Sequence, residues 1–120
     1  MSRVAPAVLT AVIAALALAG CTQSSSNTVI EVISTGTECK LAAVEAPAGG
    51  VTFKVTNTSD AEAEFYVYDE AGTTIISEVE GIGPGLSRDL DVDLDAGTYT
   101  TACKSESGDE GIRAPFTVTE

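Results

Sequence analysis

The chain contains no histidine and no tryptophan, and its single methionine is Met1. Without histidine there is no Ser–His or Cys–His pair and no imidazole general base. Carboxylates are plentiful, but no spacing among them singles out an acid–base pair, so the sequence reads as that of a protein that is not an enzyme. Basic residues are also scarce, 6 against 18 acidic ones. That balance argues against nucleic acid and against anionic lipid as direct partners, because both are polyanions. It suits a soluble domain held beside a membrane, and it would attract cations.

What is present begins with a targeting segment. After the positive charge in "MSR", the 17 residues from Val4 to Gly20 are uncharged and mostly apolar. This is slightly short of the roughly 20 residues of a membrane span. A basic start, an apolar core and small residues before a cut describe a secretory signal. "LAGC" (Leu18–Cys21) resembles the bacterial lipoprotein lipobox. That resemblance implies a signal peptide over residues 1–20 and lipidation of Cys21, by diacylglycerol with palmitate-type chains, as the new N-terminus. The protein is then an extracytoplasmic lipoprotein of the cell envelope, in the periplasm or at the outer surface of the cell membrane. Loss of residues 1–20 removes Arg3 and no acid. It leaves 100 residues with five basic and 18 acidic side chains, a net charge of −13. Polar "TQSSSNT" (Thr22–Thr28) has no apolar periodicity and reads as a flexible tether. Residues 21–27 therefore form the lipidated linker and 28–120 the domain.

The domain reads as strands and turns. In "VTFKVTN", Val51, Phe53 and Val55 alternate with Thr52, Lys54 and Thr56, the period of a half-buried strand. "LSRDLDVDLD" places Leu86, Leu90, Val92 and Leu94 inward and Asp89, Asp91 and Asp93 outward, with Arg88 breaking the apolar parity. "TVIEVIS" (28–34), "EFYVY" (64–68), "TYTTAC" (98–103) and "FTVT" (116–119) are β-branched or aromatic runs. "APAGG", "DEAGT", "GIGPG" and "DAG" separate them with turn chemistry. No helical period follows residue 21. Short strands with frequent turns predict an all-β domain, a Greek-key β-sandwich.

Three constellations invite a chemical reading. The series "DLDVDLDAG" suggests a calcium loop, but an EF-hand wants Gly at its sixth position and Glu at its twelfth. From Asp89 those positions hold Leu94 and Thr100, so a solvated strand face is the better account. "NTS" (Asn57–Ser59) matches a glycosylation acceptor, of little weight in a bacterial lipoprotein. Finally, Cys39 and Cys103 stay as two thiols in an oxidising compartment. They are candidates for a structural disulfide. Alternatively they ligate a metal together with carboxylates, for which Glu64, Glu78 and Glu80 are the candidates. A type 1 copper site is excluded on inventory, because it needs two histidines beside the cysteine.

"DAGTY" (Asp95–Tyr99) resembles the tyrosine corner of immunoglobulin-like domains. The cysteine there follows two residues after the tyrosine, whereas Cys103 follows four later. "Gly-x-Tyr-x-x-x-Cys" is instead a cupredoxin pattern. With "AEFYVY" (63–68), "GIGPGLSR" (81–88), "AGTYTTAC" (96–103) and "GIRAPFTV" (111–118), the stretch from residue 36 to 119 resembles the cupredoxin-like domain of EfeO-type periplasmic iron-uptake components. The resemblance implies a cupredoxin-like fold. It also implies iron or copper bound through Cys39, Cys103, Glu64 and the acidic segment holding Glu78 and Glu80, with a separate iron-uptake component as partner. On the same resemblance, Glu64 stands where a blue-copper protein places its first histidine. The family's "Cys-Lys-Pro-Gly-Met" loop is "CKSES" here, which loses a thioether and gains Glu106. Harder oxygen donors would favour ferric iron over cuprous copper. The other function is a disulfide-stabilised envelope interaction module with no metal. In either case Cys39 and Cys103 are expected at one pole of the sandwich, with Cα atoms roughly 4.4–6.8 Å apart if bridged.

A Cys21→Ser variant, expressed with radiolabelled palmitate, is expected to incorporate no label and to leave the membrane fraction. Retention of label would place the acyl chain elsewhere.

Overall fold

The computed structural model describes Ser2, residues 27–105 and residues 110–120. All but Ser2 of the expected signal peptide, together with Cys21 and Glu106, lies outside the described residues. Among the described residues there are nine strands and no helix. They are β1 (Thr28–Ser34), β2 (Cys39–Leu41), β3 (Glu45–Pro47), β4 (Gly49–Asn57), β5 (Ala63–Tyr68), β6 (Ile75–Ile82), β7 (Ser87–Leu94), β8 (Gly97–Ser105) and β9 (Ile112–Thr119). One sheet has the order β2-β1-β4-β7 and the other β3-β9-β8-β5-β6. β1 with β4 and β3 with β9 pair in parallel, and the remaining pairs are antiparallel. The result is the Greek-key β-sandwich that the alternating runs predict.

The alternation explains the core. Val51, Phe53 and Val55 of β4 are buried, and Phe65, Val67, Phe116 and Val118 face them from the other sheet. All three phenylalanines of the chain meet there. Phe53 lies 5.1 Å from Phe65 and 5.2 Å from Phe116 between ring centroids, both tilted away from face-to-face stacking. Such tilted pairs contribute about 0.5–1.5 kcal/mol beyond their buried area.

Three strands were not legible as strands. β2 and β3 have three residues each, too few to show a period. "APAGG" reads as a turn, yet Ala46 and Pro47 lie in β3 and Gly49 and Gly50 in β4. Pro47 is tolerated because β3 is an edge strand, where no partner needs its missing N–H. β6 is obscured by Gly81, whose φ of 69° sits at a bulge. Ala63 and Phe65 of β5 face Ile82 and Val79, so β6 carries one extra residue there. Leu86, expected inward, is 60 % exposed. It belongs to the turn before β7, where its N–H donates to the Gly83 carbonyl and strand parity does not yet apply. Leu90 and Leu94 are buried, Val92 is half-buried, and Asp89, Asp91 and Asp93 are exposed.

Asn57 ties the end of β4 to the opposite sheet. It is 0 % exposed. Its Nδ2 donates to the Ala61 carbonyl (2.7 Å) and the Ile82 carbonyl (2.8 Å). Its Oδ1 accepts from the Ser59 N–H (2.9 Å) and the Ser59 hydroxyl (2.7 Å). Both ends of the amide are used inside the protein, so the "NTS" match is a structural latch and not a sugar acceptor. At the other pole, the Tyr99 hydroxyl donates to the Asp95 carbonyl at 2.8 Å. That bond makes the side-chain contact of a tyrosine corner, which "DAGTY" resembles, although the cysteine stands four residues on and not two.

Asn57→Ala would take the side-chain partner from the Ile82 carbonyl and from the Ser59 N–H, while the Ser59 hydroxyl still donates to the Ala61 carbonyl. Chemical denaturation is expected to show a loss of about 2–4 kcal/mol, since each buried unsatisfied group costs roughly 1–3 kcal/mol. A loss below about 0.5 kcal/mol, the size of an ordinary surface change, would show that the latch is not needed.

Candidate functional site at the disulfide pole

Cys39 opens β2 at the edge of the first sheet. A tight turn delivers it there. The Thr35 N–H donates to the Glu38 carbonyl (3.0 Å), and the Glu38 N–H donates to the Thr35 hydroxyl (2.9 Å). Gly36 takes a φ of 90°, which favours glycine. Cys103 lies in β8, between β5 and β9 in the second sheet, opposite Phe65 and Ile112. Tyr99, Thr101 and Cys103 share the inward parity of β8, and Cys103 is 3 % exposed. The two cysteines form a disulfide with Cα atoms 5.6 Å apart. It joins the two sheets at one pole. A pocket lies beside it, lined by Ser34, Gly36, Ser59, Ala63, Cys103 and Ile112 among others.

The carboxylates do not join the sulfurs. Glu64 precedes Phe65 on β5 and takes the opposite parity, so it faces outward, across the ladder from Lys104. Glu78 is the cross-strand partner of Tyr66 and shares that outer face. Glu80 reaches the same face, where its Oε1 accepts a hydrogen bond from the Tyr66 hydroxyl at 2.7 Å. Glu64 Oε2 accepts from the same hydroxyl at 2.9 Å. The structure therefore does not bring Cys39, Cys103, Glu64, Glu78 and Glu80 together, and of the two candidate roles for the cysteines it shows the disulfide. Strand alternation places the sulfurs inside and the carboxylates outside, and the bridge occupies both sulfurs. Among the described residues, no group of three or more His, Cys, Asp or Glu side chains is placed to hold a metal ion.

The outer face holds an arrangement that motif reading missed. Tyr66 and Tyr68 stack with centroids 5.6 Å apart and 13° between planes. They cover the buried Ala102 of β8. Lys104 Nζ lies 4.4 Å above the Tyr66 ring, and the Arg113 guanidinium lies 4.6 Å from Tyr68. Arg113 also donates to the Gly72 and Glu110 carbonyls, which fastens the β5–β6 turn to β9. The signal was the parity of "EFYVY", which puts Glu64, Tyr66 and Tyr68 on one side. Burial, then the hydrogen bonds to Glu80 and Glu64, hold the Tyr66 phenol well above the usual tyrosine range. Because the folded value is raised, this contribution to stability is complete below about pH 10, the ordinary phenol pKa. It is lost as pH rises beyond that value.

The sequence profile of the cupredoxin-like domain matches residues 8–117. The chain belongs to the cupredoxin-like family. Among solved structures it is similar to reduced auracyanin of Roseiflexus castenholzii, with 22 % identity, a TM-score of 0.59, and 79 % of this chain and 98 % of that one covered. Auracyanin A of Chloroflexus aurantiacus, a blue copper protein, gives 20 % identity and a TM-score of 0.59 over 78 % of this chain and all of that one. A multicopper oxidase from Pseudomonas thermotolerans gives 13 % identity and a TM-score of 0.57 over 81 % of this chain and 30 % of the oxidase. At these identities the likeness is one of fold. No curated protein matches the chain in sequence. The copper such a fold suggests does not fit the residues here. The chain has no histidine, and the Cys103 sulfur is engaged in the bridge.

The disulfide spans 64 positions. In the chain-entropy model, a loop of that length stabilises by about 4 kcal/mol. A Cys39→Ser, Cys103→Ser double variant is expected to lose about 2–5 kcal/mol in denaturant titration. Two free thiols in the denatured, unreduced wild-type protein would show that no bridge forms.

Proposed function

We propose that this protein is a lipid-anchored, extracytoplasmic cupredoxin-like domain that acts as a disulfide-stabilised interaction module and not as a copper electron carrier or an enzyme. One observation carries the reading: Cys39 and Cys103 are joined to each other, while Glu64, Glu78 and Glu80 stand on the opposite face of the sheet. The bridge ties the sheets where the pocket opens, so that pole is a rigid platform. On this reading its partner is another protein of the envelope, met by a strongly acidic surface held near the bilayer by the linker after Cys21.

A second reading rests on the 5.6 Å separation of the cysteine Cα atoms. Reduction of the bridge would free two thiolates at one spot. A pair of soft donors suits cuprous copper better than ferric iron. That state would place the domain in metal handling of the EfeO kind, beside a separate uptake component.

Calorimetric titration separates the two. The oxidised domain is expected to bind neither ferric nor cuprous ions more tightly than the Cys39→Ser, Cys103→Ser variant does. Tighter binding by the oxidised wild type would overturn the module reading. Cuprous binding confined to the reduced wild type would establish the second.

A further inference from the structure

β5 holds Tyr66 between two carboxylates, with its hydroxyl 2.7 Å from Glu80 Oε1 and 2.9 Å from Glu64 Oε2. A phenol has one proton to donate, so two acceptors converge on a single donor. The ring is 6 % exposed and stacks on Tyr68, which is 4 % exposed. Lys104 covers it with an ammonium group. These residues lie outside the main core between the sheets.

Loss of an electron makes a phenol's proton strongly acidic. Oxidation is therefore easiest where an acceptor already stands within hydrogen-bond reach, roughly 2.6–3.2 Å. Both carboxylates meet that condition. With a carboxylate oxygen 2.7 Å from the hydroxyl, the proton can leave in the same step as the electron.

We propose that Tyr66 is a one-electron redox site whose proton acceptor is the Glu80 carboxylate. The co-reactant is an outer-sphere, high-potential metal complex that approaches the outer face of this sheet and is reduced by one electron. The oxidant gains the electron, the Tyr66 O–H bond breaks, and the proton passes to Glu80. A neutral phenoxyl radical remains. A thiol or an ascorbate-class reductant returns the electron, the proton moves back from Glu80, and the site is restored without net change. Electron transfer crosses the thin cover of Lys104 and Tyr68, while the same cover keeps a second radical from coupling to the ring. The inference stands apart from the disulfide pole, because it uses neither cysteine.

Oxidation of the full-length protein by photogenerated tris(bipyridine)ruthenium(III), followed by freeze-quench electron paramagnetic resonance, is expected to give a neutral tyrosyl signal. Tyr66→Phe keeps the ring and its stacking and is expected to lose most of that signal, whereas Tyr99→Phe keeps it. A Glu64→Gln, Glu80→Gln double variant leaves the phenol but removes the proton acceptors. It is expected to form the radical several-fold more slowly and to lose the solvent-deuterium effect of the wild type. Undiminished signal in Tyr66→Phe overturns the proposal, and so does an unchanged rate in the double variant. Should Tyr66→Phe fail to fold, the double variant decides alone.

Discussion

Phe65 faces Cys103 across the β5–β8 ladder, and the chemistry of the molecule follows from that register. Paired residues share a face of the sheet, and successive residues alternate. With Phe65 and Cys103 turned to the core, Glu64, Tyr66 and Lys104 must turn outward. A shift of one residue would exchange the two sets. It would bury a carboxylate and a lysine where Phe65 now meets Phe53, and the cost of burying unpaired charge forbids it. The hydrophobic core therefore decides which donors can meet. It allows sulfur to meet sulfur, and it allows carboxylate to meet phenol.

The bridge and the aromatic core divide the work of holding the sheets together. Phe53, Phe65 and Phe116 pack the middle of the sandwich. Toward the disulfide pole the layer is filled by smaller groups, among them Ala63, Ser34 and Ser59 around the pocket. A covalent tie between β2 and β8 joins the sheets at that pole. Asn57 serves the same end by a different means, since its amide reaches the Ile82 carbonyl of the second sheet. A domain of about 100 residues buries only a modest core, which gives both ties weight.

Six of the nine strands among the described residues were legible because each carries an alternation or a β-branched run of at least four residues. Those that were not legible fail for stated reasons. β2 and β3 are too short to show a period, and β6 is interrupted by a bulge at Gly81. Leu86 shows the limit of parity, which holds only inside a strand. At the site, the meeting of Cys39 and Cys103 at one pole was legible, and the structure places their Cα atoms 5.6 Å apart. The separation of Glu64 from the cysteines was also implicit in "AEFYVY", since Glu64 and Phe65 are neighbours and only one of them can face the core. The fourfold use of the Asn57 amide was not legible, because its partners come from a turn and from a strand 25 residues away.

The same alternation accounts for the placement of acid at the open flank of the sandwich. β6 and β7 are the outer strands of their sheets, and they lie against each other along one side. An unpaired edge invites addition of another strand, and charged side chains are a common defence. β7 carries Asp89, Asp91 and Asp93 on its exposed parity, and β6 carries Glu78 and Glu80. Two copies meeting edge to edge would bring these like charges together, which opposes self-association. The aspartates that resemble a calcium loop are thus explained by the strand they occupy. They keep an outer strand soluble without disturbing Leu90 and Leu94 beneath it. The acidity that dominates the composition is, at this flank, the exposed parity of two strands whose other parity buries Val79, Ile82, Leu90 and Leu94.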